Sequence, residues 1–448
     1  MKKTQSLKVA PFIVDVTPPI GFPIAFGINN KVHSRIFIRG LVIDDGHLKA
    51  ALVSSDYISI SGKAYWSWKK LIADAIGTNA KNVFLHAIHQ HDSIRVYLEA
   101  DELGRKYTKK EIFPDWYFKK VSRDLKKAVT AATASKKWRH AKNVAVSEKR
   151  MQGLASNRRL LGADGKVKAM RWSAATPKLQ KEPVGLIDPI LRTVAFLGSD
   201  GKVMSALHYY ATHPQSITGR NMVTSDVPGA ALDYVKKHSD SKTFHIYFNG
   251  CGGNITLGKY NLADKEKNPP DTRIKGLGKK LGKGILSNLL RLEKKEIGKL
   301  SARHVSFEFP LAEKVTGPSL AKLDKIIREK VKPPLSVTSL HALECRHLII
   351  KKCWKKLHRP VLSKLSIGND INILSFPAET VVEYQLYAQS LTPEKFLACA
   401  AYGEDSYMYI PTAKMFKEGG YEPSVAIASP EVEERYKAAI CKLLINKG

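Results

Sequence analysis

The 448 residues are 44% hydrophobic, enough for a large buried core, and 73 Lys and Arg outnumber 41 Asp and Glu for a formal charge of +32. The basic residues are scattered and build no nucleic-acid module, so no specific nucleic-acid partner is expected; an anionic membrane or glycan surface is the contact such a charge favours. Five widely spaced cysteines with no CxxC exclude a disulfide framework and a cysteine zinc knuckle, and no apolar run is long enough for a transmembrane helix.

The chain opens on "MKKTQSLKVAPFIVDV", a Lys pair with no apolar h-region behind it. A soluble chain is expected, cytoplasmic unless an export signal has been trimmed. "RIFIRGLVIDDG" (35–46) and "LKAALVSSDYISI" (48–60) predict two strands joined by an Asp-Asp-Gly turn. "YWSWKKLIADAIG" (65–77) is helical by period, "NVFLHAIHQH" (82–91) is a strand, and "PDWYFKKVSRDLKKAVTAATAS" (114–135) is a long amphipathic helix. Strands follow at 193–199, 203–211 and 243–250, then a basic helix over 272–295 whose glycines blur its beginning. In 300–370 a strand at "HVSFEFPL", a helix at "SLAKLDKIIREKV", the break "KPP" and a further helix are expected, before an apolar strand in "NDINILSFPAET" (369–380). With no repeat and no linker, the pattern predicts a single α/β domain over 1–448, of mixed sheets flanked by helices, with 296–365 a divergent basic insertion or subdomain.

Five stretches carry residues fit for chemistry. In "VFLHAIHQHDS" (83–93), strand alternation puts His89 and His91 on one face and His86 on the other. Two imidazoles at a strand end can hold a metal; two hydrogen-bonded histidines at a sheet edge are the competing reading. Asp92 reads equally as an orienter of His91 or as a turn residue. In "HYYATHPQS" (208–216), His213 precedes Pro214, where the chain leaves its strand, while His208 belongs to the strand body. Ser225 or Asp226 reads as a helix cap. "FHIYFNGCGGNITLGKYN" (244–261) runs a strand into a Gly-rich loop. Its GxxxxGK is not a phosphate loop, because Tyr260 stands where Ser or Thr is required and no helix follows. The glycines instead admit close backbone approach or tight turns, and Cys251 reads as an inert small hydrophobe. Glu379, in "ILSFPAETVVEYQL" (373–386), falls where a helix dipole would favour a carboxylate. "DSYMYIPTAKMFKEGGYE" (405–422) is dense in tyrosines, which in isolation read as core or interface aromatics.

Taken in order, these stretches resemble the neutral (non-lysosomal) ceramidase family of zinc-dependent amidohydrolases. "FIVDVTPPIGFPIAFG" (12–27) resembles the family's opening Asp-x-Thr-Pro-Pro-x-Gly, "HAIHQHDS" its His-Thr-His-Ser, "ATHPQS" its Ala-His-Pro, "FPAET" its Pro-x-Glu, and "YMYIPTAKMFKEGGYE" its Tyr-x-x-Tyr-(Ile/Leu)-Pro-Thr. The resemblance implies a zinc ion (Zn2+) held by His89, His91, His213, Glu379 and Tyr409, with Tyr421 on the substrate carbonyl. "LASNRRLL" resembles the Asn-Arg segment and carries the substrate-binding arginine onto Arg158, with Arg159 adjacent. The Gly-rich loop departs from the family's Gly-Asp-x-Ser-Pro-Asn, with Asn254 for the acid, Thr256 for the serine and Leu257-Gly258 for Pro-Asn. Asn254, Thr256 and Lys259 are then the expected substrate contacts. The family continues into an immunoglobulin-like domain, so a divergent member without one is expected.

The resulting expectation is a zinc-dependent hydrolase of an amide bond acting on a small-molecule or lipid-like N-acyl substrate, not necessarily ceramide. Its competitors are an esterase or lactonase on the same ligands, and a non-catalytic module that binds an anionic membrane or glycan.

Overall fold

The computed structural model describes residues 7–99, 101, 102, 105, 113–264, 268–312, 325, 329, 359–405 and 408–445. The first part supplies β1 (Leu7–Asp15), β2 (Phe37–Asp44), β3 (Lys49–Ser55), α1 (Gly62–Ile76), β4 (Val83–Ala87) and α2 (Asp115–Ala132). The middle adds β5 (Arg139–Ala141), β6 (Asn143–Arg150), β7 (Ile190–Leu197), β8 (Val203–Tyr210), α3 (Asp226–His238), β9 (Phe244–Asn249) and α4 (Pro270–Leu289). The last part adds β10 (Glu293–Lys295), β11 (Leu300–Ser306), β12 (Val361–Ile367), β13 (Ile371–Pro377), α5 (Val382–Ser390), β14 (Phe396–Gly403) and α6 (Val432–Leu444).

A nine-stranded sheet runs in the order β5-β1-β2-β3-β4-β14-β13-β12-β11, and a five-stranded sheet in the order β9-β8-β7-β6-β10. The central strands are buried on both faces, and their two-residue period sorts side chains into separate cores. Leu41, Ile43, Leu52 and Phe84 of the large sheet meet Val194, Phe196, Leu207 and Phe248 of the small one. The alternate residues Ile38, Val42, Val53 and Leu85 face α1 and α2. Helices α3 and α4 cover the outer face of the small sheet, and α6 packs over β13 and β14. The glycines that blur the start of α4 in the sequence do not break it. A Cβ on Gly278 would lie 2.5 Å from that of Ala230, so the residue lets α4 press against α3.

Parallel pairing places the site. β3–α1–β4, β8–α3–β9 and β13–α5–β14 are three strand–helix–strand units, each with its two strands parallel and adjacent. β4 and β14 run antiparallel and meet only where His86 faces Gly403, near both carboxyl ends, so both chains leave the sheet at one place. Carboxyl ends of parallel strands are where open α/β sheets place ligands. The helix expected at 319–331, the "KPP" break and the helix after it lie outside the described residues, apart from Lys325 and Glu329. Their flanks, β11 and β12, are neighbouring antiparallel strands of the large sheet.

Candidate metal centre

The exit of β4 brings His89 and His91 in, but not by strand alternation. β4 stops at Ala87, and His89 adopts a left-handed φ of 61°, so a turn rather than a pleat aims the two rings. His86 stays in the strand, its ring bound to Ala401 O and Ser375 Oγ at 3.0 Å each, outside the cluster. The β8 exit delivers His213. Ligand atoms of His89, His91 and His213 lie within 4.8 Å of one another, a grouping able to coordinate a metal.

Two of the rings are locked by carbonyl oxygens, which only accept hydrogen bonds. His89 Nδ1 donates to Ile58 O at 2.8 Å and His213 Nδ1 to Gly252 O at 2.6 Å, leaving both Nε2 lone pairs pointing inward. His91 is less firmly held, with Nδ1 3.4 Å from Thr218 Oγ1 and its ring 5.0 Å from that of Phe26. Burial and the other two imidazoles push the basicity of His91 well down; burial and Arg158 bring His213 to about 4. Both rings are therefore neutral near pH 7, the form that binds metal.

Glu379 and Tyr409 come from a two-residue parallel ladder, Glu379–Thr380 beside Tyr409–Ile410, in which Glu379 and Tyr409 are register partners. Each follows a non-glycine left-handed residue, Ala378 (φ 56°) and Met408 (φ 58°). Glu379 Oε2 lies 3.1 Å from His89 Nε2 and 3.3 Å from His213 Nε2, and Tyr409 Oη is 3.2 Å from that same His213 nitrogen. Glu379 Oε2 nevertheless has no hydrogen-bond donor. A buried carboxylate oxygen facing two lone pairs is a repulsive arrangement that a cation resolves. Atoms that share one zinc at about 2.0–2.2 Å would sit roughly 3 Å apart, a separation that the 3.1–3.3 Å contacts match.

The Gly-rich loop is the wedge that holds this centre. A Cβ on Gly252 would lie 2.5 Å from the backbone of Thr212, and one on Gly253 2.6 Å from Glu379 O. The loop thus passes between the His213 and Glu379 segments, bound to both: Gly253 N donates to Thr380 O and His213 N to Ile255 O, each at 3.0 Å.

Beside the centre, the Arg158 guanidinium is ringed by Trp172, Tyr409 and Tyr421, its Cζ 5.2–5.6 Å from the three ring centres. Arg158 Nε donates to Glu422 Oε1 at 2.7 Å, whereas Nη2 is buried with no partner. Arg159 binds the other Glu422 oxygen at 2.6 Å and also Glu418 and Gly419 O, so it anchors the 418–422 turn rather than entering the site. Tyr409 and Tyr421 ring centres are 5.6 Å apart.

The other expected contacts are engaged within the protein. Asn254 Nδ2 donates to Glu383 at 3.0 Å and Oδ1 accepts from Val382 N at 2.9 Å. Thr256 Oγ1 donates to Trp172 O and accepts from Gly258 N; Lys259 Nζ reaches Gln180 O and Glu182 O. Asp92 takes the turn role, accepting from Gly219 N and Arg220 N. Ser225 makes no side-chain cap, and the Asp226 carboxylate instead binds Ser216. Behind the Gly-rich loop stands only a short turn, Gly258–Tyr260.

Tyr402 was not legible in the sequence. It stacks on His89 with ring centres 4.5 Å apart, from a left-handed position at the end of β14. Nothing in the apolar run "CAAYG" distinguishes it from a core aromatic. Glu422 was equally silent, since its partners lie far away in sequence.

A crystal structure of neutral ceramidase from Pseudomonas aeruginosa superposes with a TM-score of 0.71 at 15% identity, over 99% of this chain and 74% of that one. The fold is the neutral ceramidase fold. A structure described as ceramidase complexed with C2 agrees, with a TM-score of 0.70 at 13% identity over 98% of this chain and 75% of that one. Neither a family model nor a curated protein matches the sequence. Among the described residues no helix is long and apolar enough to cross a membrane.

Proposed function

We propose that this chain is a zinc-dependent hydrolase of an amide bond. The observation that carries the reading is the convergence of His89 Nε2 and His213 Nε2, each left free by an Nδ1 bond to a carbonyl, on the donor-less Glu379 Oε2 at 3.1–3.3 Å. The ceramidase fold around it supports the same reading. His89, His91, His213, Glu379 and Tyr409 would hold the metal. A bound zinc supplies a water acidic enough to ionise near pH ~7 and polarises the carbonyl.

The chain's own residues do the rest. Ile58 O and Gly252 O fix the imidazole tautomers, and Glu422 orients Arg158 so that Nη2 faces the reacting carbonyl. Burial and Glu379 keep the Tyr421 phenol protonated, against Arg158, so its hydroxyl donates to the oxygen on which negative charge develops. Trp172 packs edge-on against Tyr421, their ring centres 5.2 Å apart.

The test is turnover by the zinc-loaded chain on a panel of N-acyl compounds and matched esters. Amide hydrolysis that disappears with chelation and returns with zinc supports the reading. Ester cleavage with no amide cleavage, or turnover indifferent to chelation, overturns it.

A further inference from the structure

Tyr402, Glu404 and Asp405, at and just past the end of β14, are all left-handed, with φ of 60°, 48° and 77°. Non-glycine residues hold that conformation only where the surroundings impose it. On one side this turn grips the metal centre. Tyr402 N donates to Ala378 O at 3.0 Å, and Ala378 N is shared between Gly403 O at 3.1 Å and Asp405 O at 3.3 Å. Ala378 directly precedes Glu379, and the Tyr402 ring stacks on His89. Displacing the turn therefore moves both Glu379 and His89.

On its other side the turn is held by α1. Asp405 Oδ1 accepts from Gly62 N at 2.9 Å, Glu404 N donates to Tyr65 Oη at 2.8 Å, and Lys69 Nζ donates to Glu404 Oε2 at 3.0 Å. Gly62, Tyr65 and Lys69 follow one another along one face of the helix. The second Glu404 oxygen accepts from Ser363 Oγ of β12 at 3.0 Å. The Lys69 and Glu404 side chains are only 2% and 1% exposed, and the ammonium also lies 5.2–5.3 Å from the Trp66 and Tyr65 ring centres.

A buried ion pair that only stabilises a fold can be replaced by an apolar pair of similar size, because desolvation offsets much of the mutual attraction. Direction is what an apolar pair cannot supply: a charge-assisted bond fixes where the carboxylate, and with it the backbone at 404, stands relative to α1. Resting on the metal-centre reading above, we infer that Lys69, through Glu404, is a positioning residue of that centre. The pair fixes the 402–405 turn, and the turn sets Glu379 and the His89 ring.

The test is zinc affinity of the full chain, by competition with a chelator, for wild type, Lys69→Met/Glu404→Met and the milder Ser363→Ala. The double variant should keep its fold and nearly its Tm. It should nevertheless bind zinc about 10- to 100-fold more weakly, the range for losing an outer partner of a metal ligand. Ser363→Ala, which removes one bond to Glu404, should lose about two- to tenfold. Val53→Ala lowers Tm without this loss and so separates instability from misplacement. The visible spectrum of the cobalt-loaded protein, which reports ligand geometry, should shift in the double variant and not in Val53→Ala. Unchanged affinity and spectrum in a folded double variant, or in Ser363→Ala if the double variant does not fold, overturn the inference. If wild type itself binds no zinc, the metal reading fails and the positioning is read from amide hydrogen exchange. The Ala378 and Tyr402 amides should then exchange about tenfold faster in the variant, with β3 unchanged; equal protection overturns the inference.

Discussion

The strand bodies and the strand exits of this protein obey different rules. Inside β2 and β3 every buried residue follows the two-residue period, Ala50 and Leu52 facing one core and Ala51 and Val53 the other. At the exits the chain bends through left-handed conformations at His89, Ala378, Tyr402 and Met408, none of them glycine. Such positions cost of order 1–3 kcal/mol each and persist only where the surroundings impose them. Each of these four is, stacks on, or directly precedes a residue of the proposed metal centre, while Glu404 and Asp405, just past β14, are left-handed as well. Stability is invested in the bodies, and the exits use some of it to aim side chains.

The comparison breaks most visibly if a ligand is removed. His213→Ala or His89→Ala should lower amide turnover by more than about 10²-fold, the upper end of what losing an outer partner of a metal ligand costs. A core trim such as Val53→Ala should lower Tm with far less effect on turnover by the folded fraction. Glu422→Ala comes next, because it leaves Arg158 and Arg159 buried without their shared counter-ion, at a cost of about 3–5 kcal/mol in denaturant unfolding.

The pH dependence of that pair has a definite sign. Burial pushes the Glu422 carboxyl up, but Arg158 and Arg159 outweigh it and hold the folded value below the usual 4.5. Its contribution is therefore complete above pH 4.5 and fades as pH falls through the lowered value. The stability gap between wild type and Glu422→Gln should narrow in that acid range and stay constant from pH 6 to 8; a gap that widens on acidification would count against the pairing.

Gly253→Ala sharpens the comparison at the wedge. Its Cβ would be driven to 2.6 Å from Glu379 O, so a loss of about 1–3 kcal/mol should come with weaker zinc binding, measured by competition with a chelator. The smallest effect is also the most diagnostic. Ala378→Gly relieves a left-handed alanine and should stabilise by up to about 1 kcal/mol, whereas Ala51→Gly in the body of β3 should destabilise by roughly 0.5–1 kcal/mol. The same substitution in opposite directions would separate exit from body.

The same division explains what the sequence could convey. The strands and helices around β2, β3, α1, α2 and β7 to β9 were legible because their periods reflect packing that local sequence records. His89 and His91 were singled out through an alternation that does not extend to them, since β4 ends at Ala87. The turn at His89 depends on backbone bonds to Tyr57 and Ile58, which no local pattern encodes. Asn254, Thr256 and Lys259 looked available because the loop was Gly-rich and polar. In the structure their polar atoms bind Glu383, Trp172 O and the 180–182 backbone, partners 77 to 129 residues away. Tyr402 and Glu422 carried no signal for the same reason: their roles come from neighbours distant in sequence.

The central claim is that the β4, β8 and β13 exits together build one zinc site. The most direct measurement is metal content by mass spectrometry of purified wild type, His213→Ala and Glu379→Gln, with circular dichroism on each. The account predicts about one zinc per wild-type chain, and its loss in His213→Ala and marked depletion in Glu379→Gln with the fold retained. A wild-type chain that is fully folded, exposed to zinc and still metal-free would contradict it.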